Sequence, residues 1–385
     1  MIDTLHKKIV EFTAHIVRIA SMSGQEGELA AAVAVAMKEL KYDEVWVDDF
    51  GNVIGKRVGT KPGRRVLFDA HMDNVPVTDP EQWKHAPFGG EISGGRIWGR
   101  GSTDTKGSLA GMVVGIGSLP EDEIHGTIFV SGTVNEEVFE GGGLEKVAEI
   151  VKPEMVVIGE PNECNLGIGQ RGRAGILFTQ HGIAAHSATP YHGDNAVYTA
   201  EKAIQMFRNM EMPGSRWLGN GLLELIDIAS KPLPSLSTVP YECNIHYDRR
   251  LVETESQESV ISGMREILGD HENYDLDYKQ VLYKTYTGKE ITLPDFHPAW
   301  YTSEDSLIVK WSNSVLNSAG FRPEKQIIPF CTNGSSSAGI LKIPTIVFGP
   351  SSIHLAHITD EYIEINELTR GMDGYIALAR ELGRS

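Results

Sequence analysis

Five short stretches of this chain place imidazoles or carboxylates beside apolar runs. In RVLFDAHMDNVPV, a run that reads as a buried strand ends in His71 and Asp73. GRGSTDTKG contributes Asp104, VNEEVFEGGG contributes Glu136 and Glu137, and IGEP contributes Glu160. Far downstream, SSIHLAHITDEY holds His354 and His357. Pooled, the set offers imidazole and carboxylate donors and no thiolate. Such donors suit zinc, and carboxylate-rich surroundings also admit manganese or cobalt. One carboxylate shared between two ions makes a two-metal site, with the ions roughly 3.5–4 Å apart and an attacking water between them. A carboxylate left free beside the pair can serve as general base. Adjacent Glu136 and Glu137 suit that division. Successive strand residues point to opposite sides, so a turn is needed for both to reach one site in different roles.

Each group taken singly has an ordinary explanation. His71 and Asp73 can be loop residues facing water. Asp104 can cap a helix starting near Lys106, a role aspartate favours. Glu136 and Glu137 can form a solvated acidic turn, Glu160 can be a strand-end charge, and two histidines three apart arise by chance. These explanations leave the joint placement unaccounted for. Ligands of open α/β sheets gather in the crevice outside the carboxyl ends of the strands, and a strand end is a rigid support for chemistry.

The elements that would position these groups alternate between helix and strand. LHKKIVEFTAHIVRIA and EGELAAAVAVAMKEL have helical periodicity, and DEVWVDDFGNVIGKRV reads as two strands around an Asp-Phe-Gly-Asn turn. RRVLFDA, GTIFVSGTVNEE and EMVVIGEP read as strands, separated by KGSLAGMVVGIGSL and GGGLEKVAEIV as helices. Strands separated by helices predict an α/β domain with a largely parallel sheet flanked by helices. From about Gly172 the texture changes. AGILFTQHGIAAHS, YECNIHYDRRL and YDLDYKQVLYKTY read as strands, and NAVYTAEKAIQMFRNM and SQESVISGMREIL as helices. The expected organisation is a catalytic domain, 1–172 and 288–385, interrupted by an inserted α+β domain, 173–287.

A chain of 385 residues, 41% hydrophobic and 23% charged, can bury two ordinary cores. The net charge of −17 argues against nucleic acid and against an anionic membrane surface. Cys164, Cys243 and Cys331 form no CxxC pair, which excludes a cysteine zinc cluster and fits a reducing compartment. The N-terminal stretch reads as an amphipathic helix and not as a signal peptide, and no run is long and apolar enough to span a bilayer. A cytoplasmic location follows as the expectation.

The order HMD, GRGSTDTKG, NEE, GEP and AH-ITDEY closely resembles the two-metal peptidase and amidohydrolase family of aminoacylase, carboxypeptidase G, acetylornithine deacetylase and succinyl-diaminopimelate desuccinylase. The match runs from about Ser21 to the C-terminal helix, and GIAAHSATP resembles that family's lid domain. CTNGSSSAG and FGPSSIHLAH are similar to a selenium-metabolism hydrolase branch. The resemblance implies that His71 and Glu160 bind one metal, Glu137 and His357 the second, and that Asp104 bridges them. It implies Glu136 as general base and Asp73 as the group orienting His71, in keeping with the usual partnering of metal-bound imidazoles. His357 is preferred to His354 because the family histidine directly precedes the segment Ile358-Thr359-Asp360-Glu361. It further implies a homodimer through the lid, with His186 stabilising the oxyanion in the partner's site. Arg250 matches an arginine that holds a substrate carboxylate, with Arg249 beside it as the alternative. Where the family often has Thr-Asp, this chain has Thr332-Asn333-Gly334, so Asn333 and Gly334 are expected at the substrate.

The activity so implied is metal-dependent hydrolysis of an amide bond in an N-acyl amino acid or short peptide, with two divalent ions, zinc first and cobalt or manganese admissible. Rivals are an aminopeptidase of a related two-metal fold and a non-catalytic binding protein of the same fold. The second is disfavoured because every expected ligand and the base are present. GGRIWGRG lacks the strand–GxGxxG–helix context that a dinucleotide would need.

Overall fold

The computed structural model describes residues 2–384, so the outermost bounds of the expected catalytic domain, Met1 and Ser385, lie outside the described residues. Two compact units are present. The first comprises the residues up to Gln170, Leu282–Ile291, and those from Tyr301 onward; the second comprises Arg171–Val281 and Thr292–Trp300. The single break expected at 287/288 is therefore replaced by an interleaved one. The chain returns to the first unit for Leu282–Ile291 and then leaves it again.

Four adjacent parallel strands form the centre of the first unit, in the order His125–Thr133, Lys61–His71, Met155–Ile158 and Thr345–Val347. Val66, Leu67, Phe68, Val156, Val157, Ile346 and Val347 are all buried, as strands covered on both faces require. The antiparallel pair Glu44–Val47 and Val53–Val58 extends one side, and Leu166–Gln170 runs antiparallel beyond Thr345–Val347. The helix Gly107–Gly117 is buried along its whole length and packs against the helix Ile365–Leu382. Small residues permit this approach: a Cβ on Gly115 would stand 2.9 Å from Met372 Cγ. A Cβ on Gly374 would stand 2.3 Å from Phe348 Cζ, so that ring occupies the space of a side chain.

The second unit is built on four antiparallel strands in the order Leu222–Lys231, Glu242–Leu251, Gly172–His181 and Tyr274–Tyr278. The helices Ala196–Arg208 and Gln257–Leu268 complete it. Alternate residues of Glu242–Leu251 are buried, from Cys243 to Leu251. The stretch read as one strand, YDLDYKQVLYKTY, is two, Tyr274–Tyr278 and Gln280–Lys284, and the second carries the chain back toward the first unit. The edge strand Leu222–Lys231 has no counterpart among the expected elements. It is exposed along most of its length, so it lacks the alternation that marks a half-buried strand.

Alanine at a glycine inside a helix ordinarily adds stability of about 1 kcal/mol. At Gly374 the opposite is expected: the added methyl overpacks Phe348 and destabilises by about 1–3 kcal/mol. The unfolding midpoint of Gly374→Ala should therefore fall, and a midpoint at or above wild type would contradict this packing.

Candidate metal centre

Because the four central strands are parallel neighbours, their C-terminal ends open on one edge of the sheet. His71 is the last residue of its strand and pairs with Thr133, so it is fixed by the sheet itself. Glu136 and Glu137 follow His125–Thr133 in a turn, and Glu160 stands two residues beyond Met155–Ile158. Asp104 lies in the buried turn Ser102–Lys106, whose Asp104–Thr105 peptide is cis. His357 follows the short turn Ile353–Leu355, at φ 60°.

These groups converge. Asp104 Oδ1 lies 2.9 Å from His71 Nε2, and Asp104 Oδ2 lies 3.1 Å from His357 Nε2. His357 Nε2 is also 3.1 Å from Glu137 Oε1, and His71 Nε2 is 3.8 Å from Glu160 Oε1. His71, Asp104 and Glu137 form one group of donor atoms close enough to share an ion; His71, Glu136 and Glu160 form another. His71 Nδ1 stands 2.9 Å from the Asp73 backbone carbonyl, which can only accept. A neutral His71 ring that keeps this bond carries its proton on Nδ1, which leaves Nε2, the nitrogen facing Asp104 and Glu160, as the atom that can ligate.

The electrostatics match a cation-binding role. Burial, together with Glu160, Glu140 and Glu137, pushes Glu136 well above the ordinary carboxylate range. Burial, together with Asp104, Glu137 and Asp69, does the same to Glu160. Burial works against ionisation of Asp104, yet the hydrogen bonds from His357 and His71 outweigh it and hold that carboxyl low. Asp104 and Glu137 in turn raise His357 to about 10. Glu136 Oε1 is buried without a hydrogen-bond partner. Burial also raises Glu137, so three carboxylates that resist ionisation, one of them with an orphaned oxygen, join Asp104 and two imidazoles in a donor set that divalent ions and a water would satisfy.

Backbone around the donor cluster is held by buried acidic side chains. The Asp73 carboxylate accepts from the amides of Glu136 and Glu137, 3.0 Å each, and from Ser23 Oγ at 2.7 Å. Its own Oδ1 is 3.6 Å from His71 Nδ1, so the expected orientation of His71 comes from the Asp73 carbonyl, while the carboxylate sets the two glutamates. Glu361 is fully buried: it accepts from the amides of Thr103 and Asp104 and pairs with Arg100 at 2.7 Å. Its neighbour Asp360 accepts from the amides of Lys84 and His85. Lys106 Nζ is buried on the Ile19 carbonyl, and burial lowers it to about 7. Glu361 was visible only as a marker of the His357 segment. Its partners are backbone amides, which have no signature in the sequence.

The remaining expected residues lie elsewhere. Asn333 is buried, and its carboxamide is fully engaged: Nδ2 donates to Asp69 Oδ2 and Thr133 Oγ1, while Oδ1 accepts from the Gly141 amide. The amide of buried Gly334 donates to Thr332 Oγ1. Their expected place at the substrate is corrected accordingly: the Asn333 side chain and the Gly334 amide are committed to internal hydrogen bonds, and the bond from Asn333 favours the charged form of the buried Asp69. His354 is exposed and outside the donor groups. In the second unit, Arg249 is buried in a salt bridge with Glu255, Nη2 to Oε1 2.6 Å, which removes it as a substrate contact. Arg250 is more open and pairs with Asp248 at 2.8 Å. His186 is exposed, and its Nδ1 accepts from the Ala188 amide at 3.0 Å, which leaves the neutral ring's proton on Nε2.

Residues 67–381 match Peptidase family M20/M25/M40. The chain is 30% identical over 369 residues to YgeY of Escherichia coli strain K12, covering 92% of this chain and 89% of that one. It is 27% identical over 382 residues to the succinyl-diaminopimelate desuccinylase of Cereibacter sphaeroides strain ATCC 17025, covering 93% and 94%. The fold is similar to that of the YXEP protein of Bacillus subtilis, a dinuclear metal-binding peptidase, at TM-score 0.70, 15% identity and 98% coverage of both chains. With the family's match spanning most of the chain and the donor cluster at its strand ends, this protein is a hydrolase that belongs to peptidase family M20/M25/M40.

Proposed function

We propose that this protein hydrolyses an amide bond in an N-acyl amino acid or short peptide, using two divalent ions. The observation that carries this reading is the Asp104 carboxylate, with one oxygen facing His71 and the other His357 while Glu136 Oε1 stays free. His71 and Glu160 would hold one ion, Glu137 and His357 the other, with Asp104 between them. Zinc is the first candidate by donor type, and cobalt and manganese are compatible. When bound, such ions polarise a carbonyl and lower the pKa of water.

The chain's own groups supply the rest. Glu136, held basic by its dry and acidic surroundings, accepts a proton from the attacking water and passes it to the departing nitrogen. The Nε2–H of His186 is a suitable donor to the oxyanion. The guanidinium of Arg250 suits a substrate carboxylate. Assembly as a homodimer through the second unit is supported by its edge strand Leu222–Lys231, where Leu222, Ile226 and Ile228 are about half exposed. A cytoplasmic setting is supported by Cys164 and Cys243, buried thiols that take part in no disulfide. Among the described residues no helix is long and apolar enough to cross a membrane.

Glu136→Ala should keep its metal content while kcat falls by about 10²–10⁴, the usual weight of a positioned acid–base group. Near-normal turnover would remove Glu136 from the mechanism. Chelation should abolish hydrolysis, and zinc, cobalt or manganese should restore it. A panel of N-acyl amino acids and free-amine peptides then separates the deacylase reading from that of an aminopeptidase, which would cleave only the latter. Arg250→Ala should raise KM for carboxylate-bearing substrates with little change in kcat, and an unchanged KM would rule out that contact.

A further inference from the structure

The chain leading into the Glu136–Glu137 turn is gripped at successive amides. Four consecutive N–H groups donate to side chains from three distant segments. The Val134 amide donates to Asn52 Oδ1 at 3.1 Å, the Asn135 amide to Glu26 Oε1 at 3.0 Å, and the Glu136 and Glu137 amides to Asp73. Tyr283 Oη donates to the Val134 carbonyl, and Asn135 Nδ2 donates to the Lys284 carbonyl, each at 3.0 Å. Asn135 itself is left-handed, at φ 57°.

Glu26 is the anomaly in this cradle. It stands at the N-cap of the helix Gly27–Glu39, yet its side chain makes no capping bond. The carboxylate is instead fully buried, with Oε1 on the amides of Gly24 and Asn135 and Oε2 without any partner. Burial and the neighbouring Asp73 push it up to about 7. A half-satisfied carboxylate in a dry place destabilises a fold. Residues that break a local rule in this way concentrate where geometry serves function. The benefit visible here is the fixed Asn135 amide, one residue from the base and two from a ligand.

We infer that Glu26 is a positioning residue for the metal centre: it acts through Asn135 to fix the turn that aims Glu136 at the water and Glu137 at its ion. Its kinetic consequence rests on the hydrolase reading above; its consequence for metal affinity does not. Removal of a group that orients a ligand from behind typically reduces affinity or activity by about 10–100-fold.

The test compares wild type with Glu26→Ala, Glu26→Asp and Glu26→Gln, measuring kcat, KM and the affinity for cobalt(II) by chelator competition. Glu26→Ala should lose about 10–100-fold in kcat with KM within about threefold, and should bind the weaker cobalt equivalent about tenfold less tightly. Glu26→Gln retains the accepting oxygen and should stay within about threefold of wild type on all measures. Should Glu26→Ala not fold, Glu26→Asp carries the same expectation, since one methylene less withdraws the acceptor from Asn135. Wild-type kcat and cobalt affinity in a folded Ala or Asp variant would overturn the inference. So would equal losses in Gln and Ala, which would assign the effect to charge and not to the accepted hydrogen bond. If wild type cleaves no member of the substrate panel, the function reading fails by itself, and the cobalt affinities still decide the role of Glu26.

Discussion

Several carboxylates packed side by side in a dry place repel one another, and each also loses its hydration. Glu136, Glu137 and Glu160 all feel this at the open edge of the sheet, and burial raises each of them. Two imidazoles offset part of the charge by meeting the two oxygens of Asp104. The remainder calls for cations. Much of the surrounding architecture follows from keeping this unfavourable cluster assembled. His71 is locked into the sheet, the Ser102–Lys106 turn is wholly buried, and Asn333 is spent inside the core on Asp69.

Apart from His71, every member of the donor cluster lies on a turn or loop, and loops are the mobile part of most folds. Rigidity is therefore imported through buried acids that accept from backbone amides. Asp73 holds the Glu136–Glu137 turn, Glu361 holds the amides at Asp104, and Asp360 ties the His357 segment to Lys84 and His85. The acidic character of the region thus has two layers, one forming the donor cluster and one gripping the peptide chain behind it. Arg100 and Lys106 offset the charge of the second layer.

The strand ends were legible in the sequence because apolar runs such as Val66–Phe68 stop abruptly at ionisable residues. Pooling those residues gave an inventory of imidazole and carboxylate donors, and the family resemblance supplied the expected roles. The grip on the ligands was not legible. A backbone amide has no residue identity, and Glu26 lies 109 positions from Asn135. Asn333 was misplaced at the substrate because a polar residue after a strand reads as surface until the buried Asp69 beside it is known. The edge strand Leu222–Lys231 escaped notice for the converse reason, being open on most of its residues. The break at Lys279 was not legible either, because the apolar alternation continues across it from one strand to the next.

The interleaved segment Leu282–Ile291 limits how this protein can be taken apart. In chain order it lies inside the insertion, yet Tyr283 supports the Val134 carbonyl, Tyr286 bonds the Gly51 carbonyl and Thr287 bonds that of Asp49. An evolutionary or engineered swap of the whole insertion would carry away a structural strut of the turn that bears Glu136 and Glu137. A transplantable cassette would have to end before Leu282 and resume after Ile291, so a swap that keeps the strut needs four junctions, at 170/171, 281/282, 291/292 and 300/301.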